Sequence, residues 1–552
     1  MKKITLILTL IIKTVNCFSQ APSWAWAASP SGIYGGNINS TCTDANGNIY
    51  ITGQFGGSSI TFGSYVLTNN GNPEIFIVKY DENGNVLWAK QSSNGTSSIA
   101  FSICVDNSGN IYVAGSYGDS ITLGNITLTS SAYENMFIAK YDTNGNVLWA
   151  KDNYGTQLYT FANSICSDSY GNTYVIGSFF DSISFGSIGL VNVNPACGRD
   201  LFVVKYDASG NVIWAKSAGG SANDQGFSIW TDINNNVLIT GYSESPTISF
   251  DGTTLTNLAS KAFFITKYDN SGNLIFARNV SSSLFDKGNG ITTDAQGSVF
   301  LVGEYQYSLT FDTTASIHTK GSQDVFLVKF DSSGNALWSR SAGGTDTDKG
   351  YGICTDNSGS VYITGYFNSD SITFGNITLP NRGMFVTKYD NSGNVIWAKG
   401  EGGGYSVGGK SIVTDRNGSI IVAGEFNSPS ITFDGTTLLN PTTTTTALNV
   451  NYYVAKLNST TGIGELIADN SISIYPNPFT SQTTISFSSE QTNTSIKITD
   501  VVGKEIKTIN FTGTQYILEK GIMKAGIYFV QITSFDKLRM TQEVVNRKVV
   551  VQ

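Results

Sequence analysis

An all-β chain, a seven-bladed β-propeller followed by a small Ig-like β-sandwich, is predicted by three observations. One turn motif recurs seven times, at Asp44, Asp106, Asp168, Asp232, Asp294, Asp356 and Asp415, with successive offsets of 62, 62, 64, 62, 62 and 59 residues. The 552 residues include 59 Gly, 27 Tyr and 31 Phe but only 13% charged side chains, which favours strands and tight turns over helices. From about Gly462 onward the repeat stops and a different rhythm of short alternating runs begins.

Each unit reads as one blade. In residues 355–367, TDNSGSVYITGYF, an Asp-x-x-Gly turn lets Asp356 bond the turn backbone and Gly359 take a positive φ, so two strands meet in a hairpin. Residues 388–399, KYDNSGNVIWAK, repeat that chemistry with Asp390 and Gly393 in a second hairpin. Between them SITFGNITLP predicts a short extra hairpin. Four strands plus an extension make a propeller blade.

Two further series keep the same period. Lysines open KYD-type segments at Lys79, Lys140, Lys205, Lys267, Lys329 and Lys388, with Lys456 as a degenerate seventh. An aromatic-Ala/Ser-basic series runs through Trp88, Trp149, Trp214, Phe276, Trp338 and Trp397. Repeat seven lacks its last strand, whereas Trp24-Ala25-Trp26-Ala27 stands before repeat one with no partner. An N-terminal strand that completes the last blade closes the ring and removes both free edges; a solenoid would require polar caps at its ends.

At the N-terminus Lys2 and Lys3, an apolar run from Ile4 to Ile12 and polar residues through Ser19 have the layout of a signal peptide. Thr14-Val15-Asn16 before Cys17 is a poor lipoprotein box, so cleavage near Ser19 or Gln20 is expected. No later stretch has the roughly 18 apolar residues of a membrane span. The expected organisation is a signal peptide over 1–20, the propeller over 21–461, a linker over 462–470 and the C-terminal domain over 471–552. Net charge is −8 without a basic block, which argues against nucleic acid as a partner.

Catalytic chemistry finds few residues to use. The single histidine, His318, cannot form a two-histidine metal site, and it sits in the extra hairpin of repeat five. Cys42, Cys104, Cys166 and Cys354 occupy a position that other repeats fill with Trp230, Thr292 or Val413, so they read as free packing thiols. Cys197 is isolated in an insertion of repeat three. The Asp-x-x-Gly turns lack the oxygen spacing of an EF-hand, and no cofactor is expected, although weak calcium binding stays open. Asp224, Asp286 and Asp348 hold one register in three consecutive repeats and are candidates for a cation or ligand site near the ring axis; Lys287 and Lys349 beside them offer charge neutralisation instead. Departures from the repeat are dispersed over Arg199, Asp200, Glu304 and His318, where an enzyme would concentrate them.

The D-x-x-G-N-[IV]-Y and K-Y-D-x-x-G-N-V-[LI]-W segments resemble the SBBP-type bacterial β-propeller repeat over residues 22 to about 460, a resemblance that implies fold but no ligand. The last 80 or so residues are similar to the type A C-terminal sorting domain of the type IX secretion system. The marks are Tyr475-Pro476-Asn477-Pro478, a turn through Gly503, Gly526 with Tyr528 before a strand, and Lys548 near the end. That resemblance implies passage through the periplasm, recognition by the type IX machinery and display on the outer cell surface or release to the medium; a carbohydrate-binding or adhesion sandwich is the alternative. Asp119-Ser120-Ile121, Asp181-Ser182-Ile183, Asp370-Ser371-Ile372 and Asp312-Thr313-Thr314 resemble the O-glycosylation acceptor of the same bacterial group, and repeat inheritance explains them equally. The functional expectation is a non-catalytic binding or adhesion module that contacts a polysaccharide or a surface protein. The alternatives are a propeller lyase or hydrolase and a purely structural envelope protein.

Overall fold

The computed structural model describes residues 21–551 apart from 33–34, 156–158, 197, 258–259, 280, 283, 312–315, 403–406, 441–449, 460–471, 501–503, 522 and 537–540. The expected signal peptide, Cys197, Gly503 and the triplet at 312–314 therefore lie outside the described residues. The chain divides into two compact units, residues 1–459 and 460–552.

The first unit is a closed ring of seven four-stranded antiparallel blades. In blade one the strands run outward as Gly36–Thr43, Ile49–Phe55, Glu74–Tyr80 and Val86–Ser93. The third strand is buried along its whole length in every blade, as in Glu74–Tyr80 and Asp324–Phe330. Both sheet faces are therefore core. The apolar residues form seven clusters, each shared by two adjacent blades; one joins Ile421, Ala423, Tyr452 and Val454 of blade seven to Ile38, Ile51, Phe76 and Val78 of blade one. Because no blade buries its faces alone, closure is a condition of stability.

Closure is made by the N-terminal strand. Trp24–Ala28 pairs antiparallel with Asn451–Leu457 as the outermost strand of blade seven, with Trp26 opposite Lys456. Trp26 there takes the place of the tryptophan missing from repeat seven. In blades one, two, three and five, Trp88, Trp149, Trp214 and Trp338 each donate their indole N–H to a turn carbonyl of the next blade, at Thr143, Ala208, Asn270 and Asn391, over 3.1 to 3.3 Å. Trp26 does the same across the seam, to the Glu82 carbonyl at 3.2 Å. Trp397 faces the seam from the other side, where the turn is replaced by the two chain segments joined from Asn458 N to Ser23 O, and its buried indole N–H finds no acceptor.

The repeated aspartates act inside their turns. Asp44 accepts from the backbone N–H groups of Asn46 and Asn48 through one oxygen, and from the Asn48 amide and the Tyr50 hydroxyl through the other. The KYD lysines complete the arrangement, with Lys267 at 2.8 Å from Asp232 and Lys456 at 2.9 Å from Asp415. The turn glycine is needed for its φ, +83° at Gly47; blade four uses Asn235 at +59° instead, a conformation asparagine tolerates.

The extra hairpins do not stay with the blade that encodes them. Ser120–Leu123 from repeat two pairs with Val86–Ser93 of blade one, and Ser371–Phe374 from repeat six pairs with Ala336–Gly343 of blade five. Each strap thus ties its own repeat to the preceding one, and Ser31 pairs with Thr61 across the seam in the same way.

The second unit is a small β domain of five strands, Ile472–Tyr475, Gln482–Asp500, Glu505–Glu519, Gly526–Asp536 and Thr541–Val551. The alternating runs Thr484–Phe487, Ser495–Ile498, Ile527–Val530 and Val544–Val551 predict six or seven short strands. Thr484–Phe487 and Ser495–Ile498 instead belong to one long strand, bent by register shifts between Ser486 and Gln491 and between Gln491 and Thr494, as bulges bend strands generally. Its core holds Phe479, Ile485, Ile496, Ile498, Tyr528 and Val530.

Candidate binding site

The seven innermost strands enclose a channel of about 620 Å³. Each carries one register shift, in blade one between Ile38 and Ser40, so a single residue bulges toward the axis. Around the ring these are Asn39, Phe101, Asn163, Phe227, Asn289, Tyr351 and Lys410. Most polar groups deeper in the channel hold blades together: Ser40, Ser102, Ser228 and Ser411 each accept a backbone N–H from the neighbouring innermost strand. At the turn end Cys42, Cys104, Cys166 and Cys354 are free, and burial pushes the Cys104 and Cys354 thiols up, which keeps them as unreactive neutral thiols.

The opposite end is different. There the innermost strands begin and the second strands end, and the residue after a strand-two glycine stands at this end of each blade: Gln54, Ser116, Ser178, Tyr242, Glu304, Tyr366 and Glu425. The glycine itself is obligatory, since a Cβ at Gly53 would lie 2.0 Å from the Asn37 carbonyl. On blades four to seven the mouth is charged and aromatic. Lys261 lies 3.7 Å from the centroid of the Tyr242 ring and forms a 2.7 Å ion pair with Glu244. Lys287 lies over the rings of Phe227 and Tyr242 at 5.9 and 5.8 Å. Lys349 pairs with Glu304 at 3.3 Å, and Glu304 also accepts from Asn289 at 2.7 Å. Lys410 pairs with Glu425 at 2.9 Å and covers the Tyr351 ring at 4.9 Å. Burial pushes the Tyr242 phenol up to about 12, with Glu244 adding to the shift and Arg199 opposing it.

Blades two and three supply an aromatic stack. Tyr133, Tyr159 and Phe161 lie nearly parallel, with centroids 5.8 and 6.2 Å apart, and Tyr133 is 72% exposed. Arg199 lies 4.7 Å from the Phe161 ring and 4.8 Å from the Phe180 ring. Two of the dispersed departures, Arg199 and Glu304, are therefore brought to one face. His318 is exposed in the outer hairpin strand Ile317–His318, and Asp200 is buried.

The three register-related aspartates are each taken up by their own loops. Asp224 accepts from Gly220 N and the Ser245 hydroxyl at 2.8 and 2.7 Å, and Asp348 from Gly344 N and the Ser369 hydroxyl at 2.7 and 2.8 Å. Asp286 accepts from Gln306 N at 3.0 Å. All three are fully buried and none lines the channel. Lys349 turns to Glu304 rather than to an aspartate. Among the described residues no group of three or more His, Cys, Asp or Glu is arranged to hold a metal ion. Sequence reasoning passed over Tyr133, Tyr159, Tyr242, Glu244 and Lys261; stacking the repeats on the strand-two glycine would have exposed Tyr242 and Glu425 as variation at an otherwise regular position.

Burial drives a pH response. It pushes Asp200 up to about 7 and Asp224 and Asp324 up to about 6, and each leaves one buried carboxyl oxygen without a donor. An unfolded aspartate titrates near about 3.9. Between these values the folded chain holds the extra protons, so their stabilisation is full below about pH 4 and is lost as pH rises through 6 to 7. The melting temperature is expected to be higher at about pH 5 than at pH 7.5, and Asp200→Asn should flatten that slope; a melting temperature that climbs from pH 5 to 7.5 contradicts it.

Residues 473–551 match the family described as secretion system C-terminal sorting domain. The chain thus carries a type IX sorting tail, which implies interaction with that machinery and export to the cell surface or the medium. No helix among the described residues is long and apolar enough to cross a membrane. An uncharacterized WD repeat-containing protein of Acanthamoeba polyphaga mimivirus is 24% identical over 515 residues, covering 74% of this chain and 36% of the relative. The regulatory protein FlaEY of Caulobacter vibrioides is 27% identical over 171 residues, covering 28% and 17%. The chain thus spans about a third or less of the length of these curated relatives. Solved structures with some likeness include PorZ, a surface component of the type IX secretion system of Porphyromonas gingivalis, at 12% identity, 93% and 81% coverage and a TM-score of 0.26. Synechocystis apocarotenoid oxygenase follows at 8% identity, 79% and 97% coverage and a TM-score of 0.35.

Proposed function

We propose that this exported propeller is a non-catalytic binding protein whose ligand, a polysaccharide or a surface protein, seats at the channel mouth lined by blades two to seven. The observation that carries this reading is that the ion pairs and ring contacts at this end differ from blade to blade, whereas the Lys–Asp pairs of the turn end, such as Lys267 with Asp232 and Lys456 with Asp415, recur around the ring. A concave mouth with aromatic walls and a few fixed charges suits ligand capture. The single histidine sits exposed in the outer hairpin strand Ile317–His318.

The full mature chain, screened against arrayed glycans and surface proteins, is expected to retain a ligand whose binding weakens at least about tenfold on Tyr242→Ala, the loss of one central aromatic contact. His318→Ala should leave binding unchanged. A ligand retained equally by Tyr242→Ala places the site elsewhere, and turnover of an arrayed polysaccharide replaces the binding reading with an enzymatic one.

A further inference from the structure

We propose that the mouth recognises an acidic glycan, with a uronate carboxylate held between Lys287 and Arg199 beside Tyr242 and a neighbouring sugar ring stacked on Tyr133. The assignment rests on the mouth being the binding site and adds the chemical class of what it binds.

Charge is the first ground. Five cations meet around the mouth, Arg199, Lys261, Lys287, Lys349 and Lys410, beside the carboxylates of Glu134, Glu244, Glu304 and Glu425 and above the buried Asp224, Asp286 and Asp348, which their own loops take up. Lys261, Lys349 and Lys410 each have an ion pair; Lys287 forms none among the described residues. Glu304, the nearest candidate, is already committed to Lys349 and Asn289. Burial holds the Lys287 ammonium below its usual range; the Glu304 carboxylate opposite it and Glu244 work against that shift, and the like charges of Lys261 and Lys349 work with it. A half-buried ammonium without an ion pair of its own is a place where an incoming carboxylate gains a charge-assisted hydrogen bond. Lys261 covers the Tyr242 ring and Arg199 acts electrostatically on its hydroxyl, so the positive spot has a centre.

The second ground is the stack that leads to this spot. Tyr133, Tyr159 and Phe161 run parallel toward Arg199, and the outer ring is left largely open. A pyranose presents a flat apolar face of C–H groups together with hydroxyls, which matches an exposed phenol ring that offers apolar area and one polar tip. An acidic peptide would find the cations but has no matching flat face. A nucleic acid would stack, but dense phosphate is repelled by a chain of net charge −8. A glycan with one carboxylate per sugar meets the mouth at short range, where the local cations outweigh the distant field.

The test uses the full mature chain and calorimetric titration with hexamers of galacturonate, mannuronate and guluronate, the methyl ester of the galacturonate hexamer, a neutral glucose hexamer and hexaglutamate. At least one uronate hexamer is expected to bind, with an affinity about tenfold or more above its uncharged counterpart. Lys287→Gln should remove that preference, Lys287→Arg should restore most of it, and Tyr133→Ala should weaken every sugar that binds; unchanged melting curves exclude misfolding. If no uronate binds, or if ester and acid bind alike and Lys287→Gln is silent, the acidic-glycan assignment is wrong. In the second case the mouth reading survives as long as Tyr242→Ala still weakens binding. Hexaglutamate bound as tightly as the uronates with Tyr133→Ala silent assigns the site to acidic peptides and overturns the glycan.

Discussion

Deletion of residues 21–30 is expected to convert the propeller from a closed ring into an open, aggregation-prone array with a loss of several kcal/mol, a large share of a typical domain's stability. The segment supplies the outermost strand of blade seven, the Trp26 bond to the Glu82 carbonyl and the Trp24 bonds to Glu401 at 2.6 Å and Asp434 at 2.7 Å. Trp24 also stacks edge-on against Phe433 at 4.9 Å. Without it Asn451–Leu457, buried on both faces, becomes a free edge. Trp24→Ala alone should cost roughly 3–5 kcal/mol, the range for a truncated core aromatic. Denaturant midpoints measure both, and a synthetic 21–30 peptide added to the deletion should recover part of the loss. A midpoint equal to that of the intact ring rules out closure through this strand.

Removal of residues 471–552 is expected to leave a folded propeller that no longer leaves the periplasm. The sorting tail is a separate compact unit with its own core, so its loss removes no blade. Within it the Tyr475-Pro476-Asn477-Pro478 segment is clasped to the last strand: Asn477 accepts from Val550 N at 2.8 Å, and Phe479 N donates to the Val550 carbonyl at 3.0 Å. Tyr475 is 80% exposed, Gly526 opens the strand Gly526–Asp536, Tyr528 donates to the Lys524 carbonyl, and Lys548 lies in the strand Thr541–Val551. Asn477→Ala, which unfastens the clasp, should reduce export in the same direction as the truncation. Fractionation of the host, with a melting curve on the retained protein, reads both; truncated chain in the medium at the level of the intact one would sink the sorting role of this domain.

Local chemistry wrote much of the fold into the chain. A turn aspartate bonds residues two, four and six places ahead of it, so the hairpins were visible as spacing, and their sevenfold recurrence led to the ring. The complementary gaps at Trp24–Ala28 and repeat seven announced its closure. Strand count in the last domain was less legible, because a bulge is set by packing on both sides of a strand and leaves little mark in its alternation.

Function was the harder reading, and the reason is geometric. Arg199, Tyr242, Lys261 and Lys287 belong to three repeats and are spread over about 90 residues of sequence; Tyr242 and Lys287 recur once each, as Tyr366 and Lys349, and no spacing ties the four together. Asp224, Asp286 and Asp348 share a register and so looked like a group, yet that register buries each one under its own loop. Periodicity specifies which strand and which turn a residue occupies, since those depend on neighbours within one repeat. Whether two departures meet depends on ring closure and on the direction each side chain takes at the mouth, and contacts between repeats are not encoded in any one of them.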